Sequence, residues 1–224
     1  MDPRRKFWNE QQQELRKALS DHKNHDRAIR LFLDQHAMVH SRDVSGFDSC
    51  TFEDEVWSKL DQAATRMIPK GFDHSIAWIF WHLTRIEDMT MNGLVAGKDQ
   101  LFFSEGWNER LGTLVKDTGN QMSDEQIQEL SAQLDILVLK AYRTRVGLHT
   151  RELILQLTIE NTKEKVNPIH IEHLRQTGSV AVEAEGLLEY WGGLTIAGLL
   201  LMPPTRHTFI HLNEALKIKQ KTLD

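Results

Sequence analysis

Helix starts punctuate this chain from end to end, while strand signals are nearly absent. Alternating β-branched runs closed by Asn-Gly or Asp-Gly turns would mark hairpins. Helix caps and apolar stripes at helical spacing stand in their place. Thr51-Phe-Glu-Asp54 and Ser123-Asp-Glu-Gln126 are capping-box patterns. The first predicts a helix to about Thr65, broken by Pro69-Lys-Gly71. The second predicts a long helix to about Thr162, with Ile127, Leu130, Leu134, Leu137 and Val138 at helical spacing, ending near Asn167-Pro168. Short connections between such helices make neighbours pack antiparallel, so the expected fold class is an all-α bundle with additional short helices.

Other segments follow the same rule. From about Asp26 to His40, the residues Ile29, Leu33, His36 and His40 share a stripe. From about Asp73 to Val95 a strongly apolar helix carries Trp78, Ile79, His82, Arg85, Ile86 and Met89 on one face. A loop rich in Gly and Asn surrounds Trp107. A shorter helix begins near Ile169, another runs through Trp191, and Pro203-Pro204-Thr205 opens the last one. No internal repeat or domain-sized linker divides the sequence. One domain over 1–224 is expected, with 1–20 as an N-terminal helical extension.

A net charge of −5 leaves no electrostatic footprint for nucleic acid. The basic stretches Arg4-Arg5-Lys6 and Lys217-Ile-Lys219-Gln-Lys221 read as solvated ends. Cys50 is the sole cysteine, which excludes an intrachain disulfide and makes a reducing compartment the default. The first residues lack the apolar stretch of a secretory signal, and the longest apolar run, Gly193 to Met202, is too short to span a bilayer. A cytoplasmic protein without a membrane partner is expected.

The chemistry lies with the histidines. His207 and His211 are spaced to project from one helix face about 5–6 Å apart, a gap one metal ion can bridge. His82 sits within an apolar, Trp-rich helix, where a polar side chain needs a reason. Three neutral imidazoles leave a cation its full charge and an open position, the arrangement of catalytic rather than structural sites. The plain alternative is a set of capped, solvent-facing or hydrogen-bonded core histidines. A second four-spaced pair, His36 and His40, shows that such spacing also arises by chance. Rival metal chemistries are excluded more firmly. The zincin helix needs Glu after the first histidine, where Thr208 and Ala37 stand, and no histidine follows a Glu by three residues as di-iron bundles require. Trp78 is core or an aromatic wall beside His82. Arg85, Glu87 and Asp88 form either a helix end turning to solvent or, through Arg85, a contact to substrate or to a supporting carboxylate.

The segments Trp78-Ile-Phe-Trp-His82-Leu-Thr-Arg85-Ile-Glu-Asp88 and Met202-Pro-Pro-Thr-Arg206-His207-Thr-Phe-Ile-His211-Leu-Asn213-Glu214 resemble the DinB-like superfamily. That resemblance implies a four-helix bundle, often homodimeric, in which His82, His207 and His211 bind a divalent zinc, nickel or iron ion. It also implies two functional readings. One is a metal-dependent enzyme, either a thiol transferase using a low-molecular-weight thiol such as bacillithiol, mycothiol or glutathione on an electrophilic small molecule, or a hydrolase. The other is a non-catalytic, stress-related or ligand-binding bundle with structural histidines. The stretch from Ile169 to Trp191 and the pair His36/His40 depart from the simpler family pattern. His36 and His40 are candidates to join the site as extra ligands or proton shuttles.

Overall fold

The structure, a computed structural model, describes residues 2–21 and 23–223. Met1, His22 and Asp224 lie outside the described residues, so the expected domain limits at 1 and 224 fall on residues outside them. Among the described residues the chain is all-α, with a lone bridge between Lys165 and Thr195. Five helices carry the framework: α1 (Pro3–Ser20), α2 (His25–Val39), α3 (Ile76–Asp88), α4 (Ile136–Gln156) and α5 (Thr208–Leu223). Helices α2 to α5 form the bundle, with α3 packed on both α4 and α5, while α1 lies along α2.

Caps decide where the helices begin. Ser75 accepts the amide of Trp78 and starts α3. Asp135 accepts the amides of Leu137 and Val138 and starts α4. This second cap corrects the expected unbroken helix from Ser123 to Thr162. The capping box at Ser123 forms, but its helix, Asp124–Gln133, stops where Arg66 takes the carbonyl of Leu134 and Asp135 begins a new helix. A further capping box at Thr158 with Asn161 starts the separate helix Ile159–Lys163. The helix expected from Thr51 to Thr65 is likewise two short ones, Phe52–Trp57 and Gln62–Arg66. Lys59 turns into the left-handed region between them, and Asp61 caps the second. The expected loop around Trp107 contains two short helices, Leu101–Ser104 and Trp107–Arg110.

Two wider, π-helical turns interrupt the helical pattern. One, Met89–Val95, continues α3; the other, Met202–His207, leads into α5. Pro203 and Pro204 have no N–H to donate, so the regular helical ladder fails there. The hydroxyls of Thr205 and Thr208 instead reach back five residues, to the carbonyls of Leu200 and Pro203. This wide turn places His207 at the mouth of α5.

The main core gathers Trp81, Phe80, Phe102, Leu139, Tyr142, Val146, Leu212 and Ala215 between α3, α4 and α5. Trp8 of α1 stacks on Phe209 of α5, with ring centroids 3.9 Å apart, so α1 is anchored in that core. A second core lies under the helix Pro168–Gln176 and Trp191, and a third joins α1, α2 and the end of α4. None of the helices is long and apolar enough to cross a membrane among the described residues.

Candidate metal centre

The bundle brings His82, His207 and His211 together. Their ring centroids form a near-equilateral triangle, with sides of 5.0, 5.0 and 4.7 Å. One potential ligand nitrogen from each lies within 4.8 Å of the others. His82 is 2% exposed, while His207 and His211 are half-buried and open the group toward the surface.

Hydrogen bonds select the nitrogen that two of the three rings offer. His82 Nδ1 is 2.7 Å from the carbonyl oxygen of Thr118, an acceptor, so Nδ1 carries the hydrogen and Nε2 the lone pair. His211 Nδ1 donates to Glu214 Oε2 at 2.9 Å, which frees its Nε2 in the same way. Glu214 also accepts from His74 Nδ1 at 3.0 Å. Burial pushes the Glu214 carboxyl up, but the hydrogen bonds from His211 and His74 outweigh it and hold the group at about 2. The Glu214 carboxylate therefore stays ionised. Burial first, then the neighbouring His211, lowers His82 to about 3. Burial, His82 and His211 lower His207 well below the usual histidine range. Neutral imidazole is the form that binds metal.

The group fits a cation on its own geometry. His82 Nε2 and His207 Nε2 lie 3.1 Å apart. Metal–nitrogen bonds of about 2.0–2.1 Å put neighbouring ligand nitrogens roughly 2.9–3.4 Å apart at octahedral to tetrahedral angles. Among the described residues the buried Nδ1 of His207 has no hydrogen-bond partner, and the polar contact that orients the ring is that of its Nε2 with His82, to which it can donate when no cation is bound. Trp78 stacks on His82 at 4.8 Å and His74 stacks on Trp78 at 3.9 Å, which makes Trp78 a wall of the site as well as core.

His36 and His40 do not close on His82. They form a second, fully buried group with Glu87, and this group too could coordinate a divalent ion by its composition. Its hydrogen bonds describe a different object. Glu87 Oε1 accepts from His36 at 3.0 Å and from Thr150 at 2.8 Å, while Oε2 accepts from His40 at 2.9 Å and Arg143 at 3.2 Å. Four donors fill the roughly four lone-pair sites of a carboxylate. Arg143 also donates to Glu53 and to the carbonyl of Val39. Burial raises Glu87, but His40 and His36 outweigh it and hold the carboxyl well below its usual range. Burial lowers both His36 and His40, so they donate as neutral rings.

The charged end of α3 does not turn toward solvent, because Arg85, Glu87 and Asp88 are each fully buried. Arg85 donates to Tyr142, Gln100 and the carbonyl of Lys116, with Asp88 3.5 Å away. It is a buried framework residue and not an exposed substrate contact. Sequence spacing pointed to neither Glu214 nor Thr118. The i, i+3 relation of His211 and Glu214 was available as a signal, whereas a backbone carbonyl has no residue signature.

No family model matches the chain, and no curated protein does. In fold it is similar to a solved structure, the crystal structure of a conserved protein from Enterococcus faecalis. The TM-score is 0.60 at 16% identity, over 87% of this chain and 96% of that one. At this identity the likeness speaks to the helical fold alone.

Proposed function

We propose that this chain is a single-domain, metal-dependent member of the DinB-like superfamily, with His82, His207 and His211 as the ligands of a divalent cation. The observation that carries this reading is the 3.1 Å approach of two Nε2 atoms, with the Nδ1 of His82 already committed to a carbonyl. A divalent ion held by three neutral rings supplies a Lewis acid with an open position that lowers the pKa of a bound water or thiol. The chain's own residues do the rest. Glu214 orients His211, Thr118 orients His82, and Trp78 covers the ring of His82 and keeps water from its face.

The reaction class we propose is transfer of a low-molecular-weight thiol to an electrophilic small molecule, in a homodimer of the chain. The engagement of Glu214, the carboxylate bonded to the histidine group, supports it. Glu214 is engaged by two histidines, and a thiol of low pKa needs no strong base to ionise. Metal analysis of protein purified without chelator tests the site. The expected result is close to one equivalent per chain, lost on triple alanine substitution of the histidines. Unchanged metal content in that variant sinks the assignment. A conjugation screen with bacillithiol, mycothiol and glutathione tests the reaction. Bound metal without turnover would leave a ligand-binding protein.

A further inference from the structure

We infer that Arg85 is a positioning residue for the metal centre, acting through a strap at Lys116–Gly119 that sets the ring of His82. The inference rests on the reading that His82 is a metal ligand. Arg85 and His82 are one turn apart on α3, so their side chains emerge on one face. Both grip the same strap by its carbonyls. Arg85 donates to Lys116 O through Nη2 at 2.7 Å and Nε at 3.3 Å, and His82 donates to Thr118 O at 2.7 Å.

Packing seats the strap, with Thr118 buried and the neighbouring Val115 on the main core, but backbone pairing does not. It belongs to no helix, and among the described residues no backbone–backbone hydrogen bond involves Thr113 to Thr118. Its far end is seated by Trp78, the residue one turn before His82. Gly119 has φ +77°, and a Cβ there would come within 3.0 Å of the indole Nε1 of Trp78. Asp117 accepts the amide of Gly119 at 2.7 Å and closes the turn. Trp78, His82 and Arg85 thus form three successive points of contact along α3, and the middle one is the proposed ligand.

Arg85 is itself fixed from behind. Its guanidinium lies 3.9 Å over Phe102, donates to Gln100 at 2.6 Å and to Tyr142 at 3.0 Å, and Tyr142 in turn donates to Asp88 at 2.6 Å. A planar fork can serve the strap, Gln100 and Tyr142 at once, whereas a lysine ammonium presents a single point. With the strap in place, the Thr118 carbonyl demands a hydrogen on His82 Nδ1 and leaves Nε2 for the cation. With the strap displaced, His82 is free to turn or to change tautomer.

Two variants test this, Arg85→Lys and Gly119→Ala, the second acting on the strap without touching the buried charge. Zn2+ affinity is measured by competition, and the imidazole nitrogen spectrum of His82 is recorded on metal-free protein. Both variants are expected to weaken Zn2+ binding about 10–100-fold, the range for outer partners of metal ligands, and to replace a single Nδ1–H tautomer of His82 by a mixture. If folded Gly119→Ala keeps the wild-type tautomer and affinity, the strap does not position His82 and the inference is overturned. Wild-type behaviour of Arg85→Lys would show that only a positive charge beside Asp88 is needed, which also overturns it. Absence of Zn2+ binding by the wild type would instead refute the three-histidine reading, and the metal-free spectrum would still report whether the strap sets the ring.

Discussion

His211 and Glu214, three residues apart on α5, are joined by an Nδ1 to Oε2 hydrogen bond of 2.9 Å, and that bond decides which nitrogen of His211 faces His82. A carboxylate behind a ligating imidazole fixes its tautomer and raises its basicity. Glu214→Gln keeps the shape but removes the charge. Its divalent-metal affinity is expected to fall about 10–100-fold, with the fold intact by circular dichroism. Equal affinity in a competition titration would mean that Glu214 serves only as a hydrogen-bond acceptor for its two histidines and does not tune the site.

The buried pair His36/His40 gives the opposite expectation. Glu87 is saturated by four donors, and Arg143 supplies the positive charge a metal would bring. Metal stoichiometry of a His36→Ala, His40→Ala protein should match the wild type. Stability should suffer instead. Glu87→Ala removes one of the two carboxylates paired with the buried Arg143, leaving Glu53, and strands the donors of His36, His40 and Thr150, a class of change that costs about 1–3 kcal/mol for each buried polar group left unpaired. Loss of one metal equivalent from the histidine variant would identify a second centre.

Acid should unfold the metal-free protein earlier than its carboxylates alone require. His36, His40, His82 and His207 all have folded pKa values below the unfolded value, chiefly through burial. Below about pH 6.5 the unfolded chain binds protons that the native rings refuse, so stability falls as pH falls, at up to ~1.4 kcal/mol per pH unit for each ring. For His82 this continues down to about pH 3. Glu87, held low, adds loss in the same direction below its unfolded value. Glu53, raised by burial, works against it. Denaturant midpoints at pH 7.5 and 5.5, measured with chelator present, should differ clearly. A flat profile would mean that these rings reach water in the native state.

How far the sequence carried the structure follows from what kind of interaction held each part. Helix type and the capping boxes at Thr51 and Ser123 were legible because a cap is local, satisfied within three residues. The break at Asp135 was not. Leu134, Leu137 and Val138 keep helical spacing across it and mask the local cap at Asp135, while Arg66, which donates to the Leu134 carbonyl, is far away in sequence. The same contrast runs through the site. His207 and His211 announced themselves by spacing, and His82 by its apolar surroundings. The fate of Arg85, Glu87 and Asp88 was hidden, because most of their donors and acceptors come from distant parts of the chain: the end of α2, α4, the strap, and Gln100, Leu101 and Phe102. Charge at the end of a helix normally means solvent, and only tertiary partners reverse that.

Gly147, in the middle of α4, shows how closely the buried histidine group is fitted. Glycine there costs a helix about 1 kcal/mol relative to alanine, so on propensity alone Gly147→Ala should stabilise. An added Cβ, however, would lie 2.6 Å from Nδ1 and 2.8 Å from Cε1 of His40. His40 cannot retreat easily, since it is fully buried, stacks on His36 at 4.0 Å and donates to Glu87. Overpacking of this kind costs about 1–3 kcal/mol, which outweighs the gain in propensity. Gly147→Ala is therefore expected to lower the urea midpoint while leaving metal content unchanged. In a His40→Ala background the obstruction is gone, and the same substitution should become neutral or stabilising. A double-mutant cycle with no coupling between positions 40 and 147 would show that α4 is not held in register by this contact.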